Sequence, residues 1–141
     1  LYERGKPFPV DHPLGAALMV RREVIEQVGP MDERFFMYCE EVDWAMRIRA
    51  CRWEVYCVPE AEIVHHAGQS TKQFRDEMFI ALWRSRFLLF RKHYSPTFRR
   101  LARCIVHLGL WWQERQLSSL VLDPAERQAR LRAYAAVREM R

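Results

Sequence analysis

The chain has 141 residues, 50% of them hydrophobic and 29% charged. That is one domain's worth of sequence, or part of a larger domain, with ample material for a packed core, and it excludes a disordered chain. No apolar run is long enough to span a bilayer, and the net charge of +5 is unevenly spread.

Residues 1–71 hold 12 acids and 8 Lys/Arg, a net of −4. Residues 72–103 hold 2 acids and 9 Lys/Arg, a net of +7, and residues 104–141 add +2. An acidic part is thus followed by a basic part suited to phosphate groups, nucleic acid or an anionic membrane surface. For any single arginine, a solvated helix face is the plainer explanation. Cys39, Cys51, Cys57 and Cys104 show no CxxC spacing and read as reduced thiols of a cytosolic protein. The chain opens on Leu1 in a segment already patterned for structure, which reads as a fragment of something longer.

In chain order, Gly5, Pro7, Pro9 and Pro13 make an irregular opening loop. The apolar run from Gly15 to Val20 predicts a buried strand. Arg21 to Val28 has helical spacing and stops at Gly29-Pro30. Glu40 to Arg49 predicts a second helix, acids first and arginines last, with Val42, Ala45, Met46 and Arg49 along one side. Trp53 to Val58 alternates and is rich in β-formers, so it predicts a strand, and Ala61 to His65 a second short extended piece. From Ser70 the pattern is helical. Ser70 and Gln73 form a capping-box pattern. Phe74, Met78, Ala81, Leu82, Ser85, Leu88 and Leu89 then share a face. Ser95-Pro96 starts another helix, with Leu101, Ile105, Leu108 and Trp112 as its predicted apolar face. Asp123-Pro124 starts a third. Two regions are expected: residues 1–69 of mixed strand and helix, and residues 70–141 helical and basic.

The run Glu40-Glu41-Val42-Asp43 packs three carboxylates into four residues, directly after an aromatic run. Neighbouring helical residues point about 100° apart, so Glu40 and Glu41 take separate roles. A carboxylate in a pocket beside another acid is suited to general base work. Plain enrichment of acids at a helix N-terminus is the competing explanation. Trp44 is a packing residue or the floor of a sugar site. His65 and His66 point to opposite sides of an extended segment, so at most one enters a given site; an imidazole suits a divalent metal, a satisfied structural histidine being the alternative.

Gly15-Ala16, Met19-Val20-Arg21-Arg22-Glu23-Val24 and Val28-Gly29-Pro30-Met31-Asp32-Glu33-Arg34-Phe35-Phe36 together resemble family 2 glycosyltransferases, the rhamnosyltransferase-like enzymes of bacterial polysaccharide assembly above all. The likeness continues through Glu40-Glu41-Val42-Asp43, Arg47, Val58-Pro59-Glu60-Ala61 and Val64-His65-His66, roughly residues 12 to 93. It implies an α/β fold, the C-terminal half of a GT-A domain, followed by an α-helical tail. It implies inverting transfer of a sugar from a nucleotide-sugar donor to a glycan or lipid-linked acceptor. Residues 1–69 would supply the acceptor side.

By position, Glu41 falls on the family's base, Glu40 on a supporting acid, and His65 on a metal ligand. Gly15, Ala16, Asp43, Trp44, Arg47 and His66 fall among the acceptor and donor contacts. The implied cofactor is Mg²⁺ or Mn²⁺. The family's Asp-x-Asp occurs nowhere in the chain, so the isolated chain is expected to show little or no transfer. Two departures stand out. Glu41 replaces the usual Asp, and Arg52 replaces a glycine at a helix end that favours positive φ, which predicts mild strain.

The basic helices with Trp111-Trp112 suit a membrane interface, which would place the protein in the cytoplasm at the inner face of the plasma membrane. A helical cap or a homodimer contact is the competing role. A non-catalytic module that binds membrane or protein through these helices is the alternative function. Nucleic acid is not expected, since no recognition motif accompanies the charge.

Overall fold

A computed structural model describes residues 5–66, 74–117 and 123–140. It divides into two compact units, residues 1–69 and 70–141. The described residues are mostly helical, with one small two-stranded sheet.

In the first unit, β1 (Phe8–Pro9) pairs antiparallel with β2 (Tyr56–Cys57), Phe8 opposite Cys57 and Pro9 opposite Tyr56. Helix α1 spans Arg22–Val28 and α2 spans Glu40–Ala50. Gly29 ends α1 at φ 83°, a left-handed value that glycine adopts without the Cβ clash other residues suffer, and its N–H reaches the Ile25 carbonyl. Val24, Trp44 and Ile48 form the core, with Val20, Val28, Met31, Trp53 and Val55 packed around it.

Helix α2 therefore buries a different side from the one its apolar spacing suggests. Asp43, Trp44, Ala45 and Ile48 are buried, while Val42 and Met46 are only half-buried and Arg49 is exposed. A fully buried aspartate is tolerated because Arg47, one turn on, donates from Nε to Asp43 Oδ2 at 3.0 Å. The same guanidinium donates to the carbonyls of Val28 at 2.9 Å and Pro30 at 2.8 Å. Trp44 Nε1 donates to the carbonyl between them, Gly29, at 2.9 Å. Three successive carbonyls leaving α1 are thus held by two side chains of α2.

Three sequence expectations change here. Gly15 to Val20 is no strand, and only Val20 packs against the core: Met19 is 101% exposed, and no strand pairs with the segment among the described residues. The strand expected over 53–58 shrinks to two residues. Residues 61–66 are exposed and unpaired in any sheet. A strand forms only where a second backbone accepts its hydrogen bonds, and apolar pattern alone cannot supply one. Arg52 does take positive φ, 66°, as its replacement of a glycine predicts.

The second unit is three helices: α3 (Arg75–His93), α4 (Pro96–Gln116) and α5 (Pro124–Glu139). Helix α3 packs chiefly on α5, and α4 touches both. The capping-box pattern at Ser70 and Gln73 lies outside the described residues. Ser95 Oγ accepts from the Phe98 N–H with Pro96 at the first helical position, and Asp123 caps α5 in the same way. Val106, Leu110, Leu117, Tyr134 and Val137 form the core, against Phe79, Trp83, Phe87, Leu131 and Met140. Ion pairs join Arg138 to Glu114 and Arg130 to Asp76 across helices.

On α4 the predicted apolar face is the exposed one: Leu101, Ile105, Leu108 and Trp112 stand between 59% and 69% exposed. The helix is apolar on two sides, and Val106 and Leu110, on the other side, meet the core. Helical spacing finds a stripe but cannot say which of two stripes has a partner.

Arg47→Met should destabilise the first unit by about 2–3 kcal/mol, less than a wholly buried pair would lose, because Arg47 keeps some solvent access while Asp43 has none. Denaturant titration would check this; a change below about 0.5 kcal/mol, the size of an ordinary surface substitution, would deny the clamp its stabilising role.

Candidate functional site

The acidic run begins α2. Glu40 and Glu41 are its first two residues, both half-buried. The chain reaches them through two consecutive left-handed residues, Tyr38 at φ 71° and Cys39 at φ 67°. For residues with a Cβ this conformation costs on the order of 1–3 kcal/mol each and persists only where surrounding structure imposes it. Asp32 and Arg34 brace the preceding turn through hydrogen bonds of 2.6 to 3.2 Å, and hydrogen bonding to Asp32 first, then its charge, raises the Arg34 pKa. Phe35 anchors the turn by burial, while Phe36 is 78% exposed.

Two geometric facts distinguish the neighbouring glutamates. A side chain added at Gly15 would meet Glu41 first: its Cβ would lie 3.6 Å from Glu41 Cδ and 3.7 Å from Cβ and Cγ. The segment at Gly15-Ala16 therefore runs across the Glu41 side chain, and two residues 26 positions apart in the chain come together. Glu40 is different. Its Oε2 is buried and has no hydrogen-bond partner among the described residues. A buried carboxylate oxygen left this way forfeits its hydration without compensation, which costs about 1–3 kcal/mol.

The remaining predicted residues divide clearly. Asp43, Trp44 and Arg47 turn inward to the loop after α1, and so set the position of α2 rather than line an open surface. His65 and His66 are exposed on the segment after β2. No three His, Cys, Asp or Glu side chains gather to hold a metal ion among the described residues. The residues described do not by themselves fit the expected Mg²⁺ or Mn²⁺. The broad concavity of the unit, about 670 Å³, is lined by Pro9, Val10, Asp11, Arg49, Arg52, Trp53, Glu54 and Val55, and lies apart from the acidic run.

Sequence reasoning missed the two left-handed residues and the orphaned oxygen. Tyr38-Cys39 contains no glycine or asparagine to announce such a backbone, and nothing in a sequence reveals that one of two adjacent glutamates lacks a partner.

No protein-family model matches the chain, and no solved structure matches it. Curated relatives do. The N-acetylglucosaminyl-diphospho-decaprenol L-rhamnosyltransferase of Mycobacterium tuberculosis is 36% identical over 102 residues, 70% of this chain and 33% of that protein. The low-salt glycan biosynthesis hexosyltransferase Agl10 of Haloferax volcanii is 30% identical over 94 residues, 66% of this chain and 31% of its own length. The rhamnosyltransferase WbbL of Escherichia coli is 30% identical over 94 residues, 67% and 31% respectively. The chain spans about a third of the length of these relatives.

Glu40→Met removes the orphaned oxygen at the loss of a favourable helix-terminal charge. The first effect is the larger, so stability should rise by about 1 kcal/mol. Thermal or denaturant unfolding reads the sign, and a fall of similar size would mean the carboxylate is satisfied in solution.

Proposed function

We infer, from the kinship of this chain with rhamnosyl- and hexosyltransferases, that it is the acceptor-side part of an enzyme of that kind. The whole protein moves a sugar from a nucleotide-sugar donor to a glycan or lipid-linked acceptor, with inversion. Glu41 is the base. It takes the proton of the acceptor hydroxyl as that oxygen bonds to the anomeric carbon, and the nucleoside diphosphate leaves with the electron pair of the broken C–O bond. The observation that carries the reading is the passage of Gly15 over the Glu41 side chain. A lone Cβ there would only touch Glu41 at ordinary contact distance, but a longer side chain would crowd the carboxylate where a hydroxyl must sit.

Glu40 supports this arrangement from a direction about 100° around the helix. Its buried, unpartnered oxygen and the strained approach through Tyr38 and Cys39 are costs of a kind that concentrates at working sites. Glu41 reaches one methylene further than the family's usual aspartate, and the left-handed entry to α2 offers the backbone adjustment that a longer base requires. The divalent ion belongs mainly with the rest of the longer protein. His65 is this chain's contribution to it. Ala16 and His66 belong to the acceptor surface. Apart from its remainder, the 141-residue chain shows little or no transfer.

A second reading concerns α4. Its stripe of Leu101, Ile105, Leu108 and Trp112 is exposed, and at its C-terminal end the Arg115 guanidinium lies 3.9 Å from the Trp111 ring centroid. Apolar residues with tryptophan and arginine at one end suit a peripheral membrane contact. No helix of the described residues is long and apolar enough to cross a membrane.

In the full-length protein, Glu41→Gln should lower the rate of transfer by about 10²–10⁴-fold, the range of a lost general base, with nucleotide-sugar affinity unchanged. Gly15→Leu should raise the acceptor KM and spare donor binding, measured by titration of each substrate. Unchanged turnover in E41Q removes Glu41 from the role. For α4, flotation with anionic vesicles should weaken at least severalfold in Leu108→Asp; equal flotation of variant and parent would end that reading.

A further inference from the structure

The second unit contains a feature the transferase reading does not use. Between the C-terminal end of α3 and the first turns of α4 lies a groove of about 300 Å³, lined by Phe87, Phe90, Arg91, Pro96, Arg99, Arg100 and Arg103. Four of its seven lining residues are arginines and none is acidic. Two acids of the same unit are engaged with other arginines, Glu114 with Arg138 and Asp76 with Arg130. Among the described residues none of the four arginines makes an ion pair. Arg103 instead lies 5.7 Å from the Phe87 ring centroid.

Helix polarity explains only one of these charges. Arg91 sits in the last turn of α3, where a cation is favoured. Arg99, Arg100 and Arg103 sit in the first two turns of a 21-residue helix that has no acid in its first turn. That end already carries partial positive charge, which opposes Arg99 in the first turn, and the three cations repel one another. A solvated face would not need them gathered around one concavity. Two phenylalanines wall the groove, lower its local polarity and strengthen any charge interaction made in it.

We propose that this groove is a binding site for a phosphate-class anion, best filled by a diphosphate. The planar forks of several arginines match paired phosphate oxygens through bidentate hydrogen bonds, and the anion relieves the repulsion among them. The site lies wholly in the second unit, so it stands or falls apart from the assignment of Glu41. Its diphosphate comes either from a soluble ligand or from a lipid headgroup.

Calorimetric titration of the 141-residue chain with inorganic pyrophosphate at low ionic strength tests this. Binding should weaken by about tenfold or more in R99Q/R103Q, as expected when two charge-assisted pairs are lost. In R84Q/R127Q, which removes the same charge from exposed positions outside the groove, binding should be unchanged. R100Q, at an exposed position that packing does not need, should weaken binding by a few fold, and circular dichroism confirms that each variant is folded. Phosphatidylcholine vesicles carrying a prenyl diphosphate that compete with pyrophosphate identify a headgroup as the source, and failure to compete identifies a soluble one; both outcomes support the site. Absence of pyrophosphate binding, or equal weakening in both double variants, overturns it.

Discussion

The first unit depends on how α2 holds the chain that leaves α1. Val28, Gly29 and Pro30 each present a carbonyl that no helix or strand satisfies, and Arg47 and Trp44 take all three. Asp43 is buried to orient Arg47 for the task. This arrangement fixes the loop after α1 relative to α2, and hence the aromatic turn that carries the chain into Tyr38, Cys39 and the glutamates. Asp43, Trp44 and Arg47, whose types suggested ligand binding, hold the loop on the helix and so make a precise site feasible on so small a core. The ion pair is worth little as a net source of stability compared with an apolar pair, but its directionality specifies one packing of loop on helix.

How much of this was legible in the sequence depends on whether the signal was local. Caps were legible: Ser95-Pro96 and Asp123-Pro124 act through atoms two or three residues away, and Gly29-Pro30 stops α1 for reasons contained in those two residues. The strain at Arg52 was legible too, since the resemblance puts a glycine at that helix end. Burial was not. Helix α2 buries an aspartate because of an arginine one turn on and three carbonyls some 13 to 15 positions before it. Helix α4 exposes the stripe that spacing alone would have put inside. The resemblance to glycosyltransferases, carried by ordered motifs rather than by any one residue, is matched by the curated relatives over some two thirds of the chain.

The candidate site shows what a motif leaves open. Glu40-Glu41 reads as two equivalent acids. The structure separates them by what surrounds each, Gly15 against one and an unsatisfied burial for the other. The left-handed pair before them shows that the backbone there is imposed by packing, since neither tyrosine nor cysteine would choose it. Stability is being spent where the chain enters the acidic run, a pattern that local propensity correctly fails to anticipate.

The two-sided character of α4 has a consequence for the life of the polypeptide. Folding satisfies Val106 and Leu110 but leaves a three-turn row of large apolar side chains facing water. To a chaperone or protease that samples surfaces, such a row looks like an unfinished protein even when every helix is in place. The survival of this unit inside a cell would then be governed by how quickly the row is covered, and only secondarily by the free energy of the fold itself.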